Sequence, residues 1–324
     1  MNRAMRRHQR LDAAGYARAL ETSGYAAKTH LDANETMSFA RALEAIDQQL
    51  YRVAYPELKG TLLVPVIGNI PAGAEEYTYR YANEIGEAKV TANLANDVPR
   101  VDLQGAEQTS PIVSITAAYG YSIQDGRRSA LQGLSLDAER ALTARRTIAR
   151  KVNNLLLLGD ATVGVVGLYK SAAVQSVSVV TGTWSTATAD QILGDLLALE
   201  REVITDTKGV EAPDTLVMPP SLYARATTAR LSNTETTALA FFLKNSLSVK
   251  NVETDALLET AGSGSVARLV VYTRNPEKVG AVLPIEFEQL APEAQGFEFV
   301  VNCHARCGGT VIRYPGSMAY MDGC

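Results

Sequence analysis

From residue 62 to residue 122 the chain runs largely extended with little apolar content, and one long amphipathic helix follows at residues 134–158. The stretch 73–100 reads GAEEYTYRYANEIGEAKVTANLANDVPR, polar on both sides of its turns. A lone two-stranded ribbon is marginal in water at best. An ordered ribbon of this composition therefore needs cover from outside its own domain, and a neighbouring copy of the chain is the simplest cover. That points to assembly before catalysis.

The parts flanking and forming this ribbon are legible one by one. Residues 61–68 (TLLVPVIG) read as a short apolar strand, and Pro71-Ala72-Gly73 turns the chain. In EYTYRY (76–81), Tyr77, Tyr79 and Tyr81 share one strand face at period two. Such a face serves either cross-strand packing within the ribbon or contact with another subunit. Residues 112–122 (IVSITAAYGYS) return as a strand.

The helix predicted over 134–158 places Leu134, Ala138, Ala141, Leu142, Ile148, Val152, Leu155 and Leu156 on its apolar stripe. Its outer face carries Glu139, Arg140, Arg145, Arg146, Arg150 and Lys151. Ser135 or Asp137 can cap its start and Gly159 its end. About 25 residues at 1.5 Å each span about 37 Å, enough to act as a spine for the subunit. Arg145, Arg146 and Arg150 lack the interleaved aromatics of a nucleic-acid platform. They read as a solvated face or as intersubunit ion pairs.

Residues 1–35 look loosely structured, and a helical pattern begins at Glu35 with Met37, Phe39, Ala40, Leu43, Ile46 and Leu50. Pro56 and Gly60 end it. Beyond Gly159 the composition turns to Val, Ser, Thr and Gly around the single Trp184, followed by an amphipathic helix over 189–204. A buried strand (215–218), a short helix from Ser221, a helix over 234–245 and strands at 269–272 and 282–286 come next. This alternation predicts a small α/β domain. In the tail, Phe297, Phe299, Val301, Cys303, Ala305 and Cys307 share one strand face. Gly308-Gly309 turns, and Val311-Ile312 begin a return strand.

Composition narrows the chemistry. A net charge of −4 argues against a dedicated nucleic-acid reader. No run approaches the ~18 apolar residues of a membrane span, and the arginine-bearing first residues lack the apolar core of a secretory signal. Three cysteines are too few for a disulfide scaffold, which fits a reducing cytoplasm. In an extended strand Cys303 and Cys307 point to one side and His304 to the other, which defeats metal chelation. No nucleophile elbow, zinc-protease, phosphate-loop or dinucleotide motif occurs. The expectation is a non-enzyme with no catalytic residue, cofactor or metal.

The order of parts, more than any motif, carries a resemblance. An arm with a helix, a long β-ribbon, a spine helix, an α/β insert and a terminal β-segment resemble the major capsid protein of tailed bacteriophages, the Hong Kong 97-type shell fold. The closing CHARCGGTVIRYPGSMAYMDG (303–323) looks like the end of a phage capsid family often found in prophages; residues 120–160 carry the rest of the word-level likeness. The resemblance implies an α+β chain divided into an arm (1–60), an extended ribbon loop (61–122), and a spine helix with peripheral domain (123–184). An axial α/β domain (185–285) and C-terminal strands of the peripheral domain (286–324) complete it. It implies a self-assembling subunit of an icosahedral head, built as pentamers and hexamers and enclosing double-stranded DNA held without sequence-specific binding. Scaffolding, portal and decoration proteins are implied partners, with assembly in the host cytoplasm and no membrane. Tyr77, Tyr79, Tyr81, Arg145, Arg146 and Arg150 are the candidate intersubunit contacts. Two alternatives stay open: an encapsulin-like compartment packaging an enzyme, and a cytoplasmic α/β enzyme with an unrecognised site.

Overall fold

The computed structural model describes residues 56–90, 100–132, 136–179, 182–232 and 234–324. The expected helix from Glu35, the ribbon tip at 91–99 and the candidate cap Ser135 lie outside them. The elements begin with one helical turn α1 (Gly60–Leu63), strands β1 (Glu76–Ile85), β2 (Asp102–Pro111) and β3 (Val113–Ser122), and helices α2 (Ile123–Gln132) and α3 (Leu136–Leu157). Then come β4 (Gly159–Asp160), β5 (Val165–Val166), β6 (Gln175–Ser178), α4 (Ala189–Asp206), β7 (Thr215–Met218), α5 (Pro220–Thr228) and α6 (Ala238–Asn245). The strands β8 (Asn251–Thr254), β9 (Arg268–Tyr272), β10 (Val279–Val282), β11 (Ile285–Gln289) and β12 (Glu293–Gln295) follow. Last are β13 (Glu298–Cys307), β14 (Gly309–Ile312) and β15 (Met318–Asp322).

Helix α3 is the expected spine. Ala144, Ile148, Val152, Leu155 and Leu156 recur at three and four residues and are all buried. Leu142 departs from the expected stripe and is 41% exposed. Six residues before Ile148, it is rotated about a third of a turn away from the buried face. The helix stops at Gly159, whose φ of +72° is left-handed. A Cβ there would lie 2.6 Å from both Gly167 N and Val165 O, because the chain doubles straight back as β4 and β5. The N–H groups of Leu168 and Tyr169 then donate to the carbonyls of Leu156 and Leu157, satisfying the helix end.

The spine lies against a sheet centred on β13. Ten residues of β13 pair antiparallel with β3, from Glu298↔Ser122 to Cys307↔Val113, and β11 and β12 line its other edge. Alternation puts Val301, Cys303, Ala305 and Cys307 in the core beneath the spine, as the sequence pattern requires. A second sheet runs β6-β15-β9-β7-β8. On one face Leu216, Met218, Leu269, Val271, Ala319 and Met321 meet helices α4 to α6 and Trp184. On the other face Val217, Val270, Tyr272, Met318 and Tyr320 join the spine's core. Both faces are buried, so β9 reads as an uninterrupted apolar run rather than an alternating one. The stretch 286–324 serves both sheets: β13 belongs to the first, and β15 is inserted between β6 and β9 of the second.

Four local expectations are corrected. Residues 61–68 form no strand: the turn α1 occupies their start, Gly60 N donates to Asn153 Oδ1 of the spine at 2.7 Å, and Val66 makes only an isolated bridge to Ala281. A short apolar run does not distinguish helix from strand, and here the spine supplies the partner. The helix expected over 234–245 starts at Ala238, where the Thr237 side chain accepts from Ala240 N. The strand expected over 282–286 is two strands, β10 and β11, separated at Pro284, which has no N–H to give to a ladder. The return strand after Gly308-Gly309 pairs with β10 and not with β13.

Candidate assembly surface

The ribbon β1–β2 is held in register over ten consecutive pairs, from Glu76↔Pro111 to Ile85↔Asp102. Its base is anchored to its own subunit. Tyr77 and Tyr79 join a small cluster with Ile112, Val282 and Val311. Arg313 Nη2 donates to Tyr77 Oη at 2.7 Å and its guanidinium stands over that ring. Tyr79 Oη lies 2.7 Å from Gln108 Oε1 and 3.1 Å from the Ile312 carbonyl, its single proton shared between the two acceptors. Burial, with the neighbouring Tyr81 adding to it, pushes the Tyr79 hydroxyl above its ordinary pKa, so it stays a donor. Ser110 Oγ ties β2 to the Gly308 carbonyl at 3.0 Å.

Further out the ribbon has no cover from its own described chain. Tyr81 is 48% exposed, Ile85 49%, Leu103 64%, Val101 76% and Val90 100%. The two strands hold each other through Thr78 Oγ1 with Thr109 Oγ1 and an Arg80–Glu107 ion pair at 2.7 Å. An exposed pair of this kind is worth ~0–1 kcal/mol, too little to fix the ribbon's conformation alone. The tyrosine face therefore divides: Tyr77 and Tyr79 lie on their own subunit, and Tyr81 overhangs with Ile85 on the same side.

Of the spine arginines, Arg145 and Arg146 are exposed and Arg150 is half-buried. Arg145 stands 5.7 Å over the ring of Phe287 in β11. Beside this stack, Leu58, Ile148, Val152, Leu156, Leu283 and Phe287 line a cavity of about 180 Å³ that also touches Arg145, Thr61 and Glu286. Arg140, expected on the solvated face, is instead tethered: Nη1 donates to the Gly120 carbonyl at 2.9 Å and Nη2 to Asp125 Oδ2 at 3.2 Å. A bond from the Ser122 backbone, reinforced by Arg140, holds the Asp125 carboxyl below its ordinary range. Sequence reasoning missed Arg140, Phe287 and Arg313 as parts of this surface. The i to i+5 spacing from Arg140 to Arg145 was the available hint that these two point to different sides of the helix.

The cysteine pair sits where alternation places it. Cys303 and Cys307 are buried and His304 points to the opposite face, 3.5 Å from Glu288. Burial pushes the Cys307 thiol up to about 11 and raises Cys303 as well, which suits packing and not nucleophilic work. Among the described residues no group of three or more His, Cys, Asp or Glu side chains is placed to hold a metal ion. Among them, too, no helix is long and apolar enough to cross a membrane.

Comparison with known proteins places this geometry. The family model described as major capsid protein matches residues 86–324. The capsid structure of Myoviridae phage XM1 superposes with a TM-score of 0.79 at 18% identity, covering 88% of this chain and 98% of that one. The capsid of a native GTA particle gives 0.61 at 11% identity over 89% and 99%. A virus-like particle from Pyrococcus furiosus gives 0.51 at 12% identity over 81% and 91%. None of the curated proteins compared matches the chain. The likeness to the solved structures extends over nearly the whole chain and establishes the Hong Kong 97-type α+β fold. With that fold and a family model spanning the spine, both sheets and half of the ribbon, the chain belongs to the major capsid proteins of tailed bacteriophages and is a structural shell subunit.

Proposed function

We propose that many copies of this chain close into an icosahedral head, assembled in the host cytoplasm, that encloses double-stranded DNA. The observation that carries this reading is the ribbon. Its base is bonded to its own subunit while Tyr81, Ile85, Val101 and Leu103 overhang without cover from the described residues. Apolar side chains on a two-stranded overhang are stabilised only when another surface removes them from water, and a repeated subunit offers that surface identically at every position. Tyr81, Arg145 and Arg146 act in this reading as intersubunit contacts; Tyr77 and Tyr79 fix the angle at which the ribbon leaves. The α/β part, residues 185–285, meets its copies around the fivefold and sixfold positions, and scaffolding, portal and decoration proteins complete the particle. A net charge of −4 suits a wall that contains DNA without gripping phosphate.

Light scattering with negative-stain microscopy on purified protein, alone and with co-expressed phage assembly factors, tests the reading. The expected outcome is closed shells of megadalton mass. Small uniform oligomers in both preparations would overturn it. DNA inside shells recovered from producing cells separates a phage head from a compartment filled with an enzyme.

A further inference from the structure

The overhanging ribbon and the cavity beside the spine are complementary in size, polarity and charge. A cavity of about 180 Å³ is lined mostly by aliphatic and aromatic carbon, with Thr61, Asn153 and Glu286 adding polar atoms and Arg145 a cation, and Leu58 at its edge is 42% exposed. Apolar cavities of ~150 Å³ accept a molecule as large as benzene, so this one has room for a branched aliphatic side chain. Ile85 is such a side chain, 49% exposed at the end of β1. The register places Asp102 directly opposite Ile85, and directly paired residues lie on the same face of an antiparallel ribbon. An isoleucine entering the cavity therefore brings a carboxylate with it. The guanidinium of Arg145 waits at the cavity, exposed and stacked on Phe287.

Tyr79 and Ser110 bond the base of the ribbon to the Ile312 and Gly308 carbonyls of its own subunit, and Ile85 stands exposed instead of in that subunit's own cavity. From these features we infer that the cavity lined by Leu58, Ile148, Val152, Leu283 and Phe287 is the socket for Ile85 of a second copy, with Asp102 of that copy pairing with Arg145. The inference rests on the shell-subunit reading and adds the seat of the ribbon to it. The socket also accounts for an open apolar recess between α1, the spine and β11 that the described residues leave unfilled.

The test uses the full chain in a Cys324→Ser background, since Cys303 and Cys307 are buried. Cysteines are placed at Ile85→Cys and at Thr61→Cys, an exposed residue on the cavity wall. Mild oxidation of assembled particles should give a ladder of reducible covalent multimers from the double variant and no ladder from either single variant. Two further variants cover the case in which the cysteine pair impairs assembly. Ala149 also lines the cavity, half-buried on the spine; Ala149→Trp, which fills the socket, and Ile85→Asp should each lower particle yield at least tenfold while leaving the unfolding midpoint of the subunit within a few degrees. Particles that form without the ladder, an equal ladder from Ile85→Cys alone, or parental yield from both filling and charged variants would overturn the inference. Each of those outcomes leaves shells in hand, so the shell reading survives. Absence of particles from the Cys324→Ser parent itself would count against the shell reading.

Discussion

At the scale of single residues, the C-terminal strand is locked by charges as well as by its ladder. Arg268 is 8% exposed, donates through Nε and Nη2 to the two Asp322 oxygens at 2.5 and 2.7 Å, and bonds the Tyr169 carbonyl. Its guanidinium also lies 4.5 Å over the ring of Tyr320. Burial works to raise the Asp322 carboxyl, but Arg268 and the Ser263 N–H outweigh it and hold its pKa below the usual value. A depressed carboxylate contributes stability that is present above its unfolded pKa of about 4 and is lost as pH falls through the folded value. Asp322→Asn should cost on the order of 2 kcal/mol near neutrality. This is below the ~3–5 kcal/mol of a fully buried broken pair because the aspartate keeps 17% of its side-chain exposure. Denaturant midpoints measured across the acid range should show the wild-type advantage shrinking below about pH 4; an advantage independent of pH would contradict the ion-pair account. Nothing in local sequence marks this pair, since the partners stand 54 positions apart and meet only through strand register.

Among elements, the ribbon and the spine were legible because each advertises its own period: two in EYTYRY, 3.6 in the helix, with Gly159 as a stop. The start of residues 61–68 was not, since the three apolar residues Leu62, Leu63 and Val64 fit either state until a partner decides, and the partner is Asn153 on the spine. Which strand β14 would choose was equally hidden, because pairing with β10 rather than β13 is settled by contacts remote in sequence. The candidate assembly surface was half visible: the tyrosine stripe and arginine run could be named, but not the division of the stripe at Tyr81 nor the cavity beside Arg145. The division makes a clean truncation available. Tyr81 pairs with Ala106, so residues 82–105 can be replaced by an Asn-Gly turn without disturbing the anchored base. That variant should keep an unfolding midpoint within a few degrees of the parent, because little buried surface is removed, and should form no closed particles on microscopy. Closed particles at ordinary yield would show that the overhang is dispensable.

For the whole molecule, the sheet β6-β15-β9-β7-β8 matters most, because its two faces belong to two different cores. Val270 and Tyr272 look one way while Leu269 and Val271 look the other, so neither core can lose its packing without exposing the other. The unassembled body formed by residues 56–324 should therefore melt in one calorimetric transition, with calorimetric and van't Hoff enthalpies agreeing. Two resolved transitions would mean that the α/β part is independent of the spine. The position of β15 between β6 and β9 has a further consequence for how such a chain is made. During synthesis, β6, β7, β8 and β9 are all present before residues 318–322 emerge, yet the sheet lacks its second strand until then. A growing polypeptide on the ribosome thus carries a finished ribbon sequence and an unfinished body until residues 318–322 have entered the sheet.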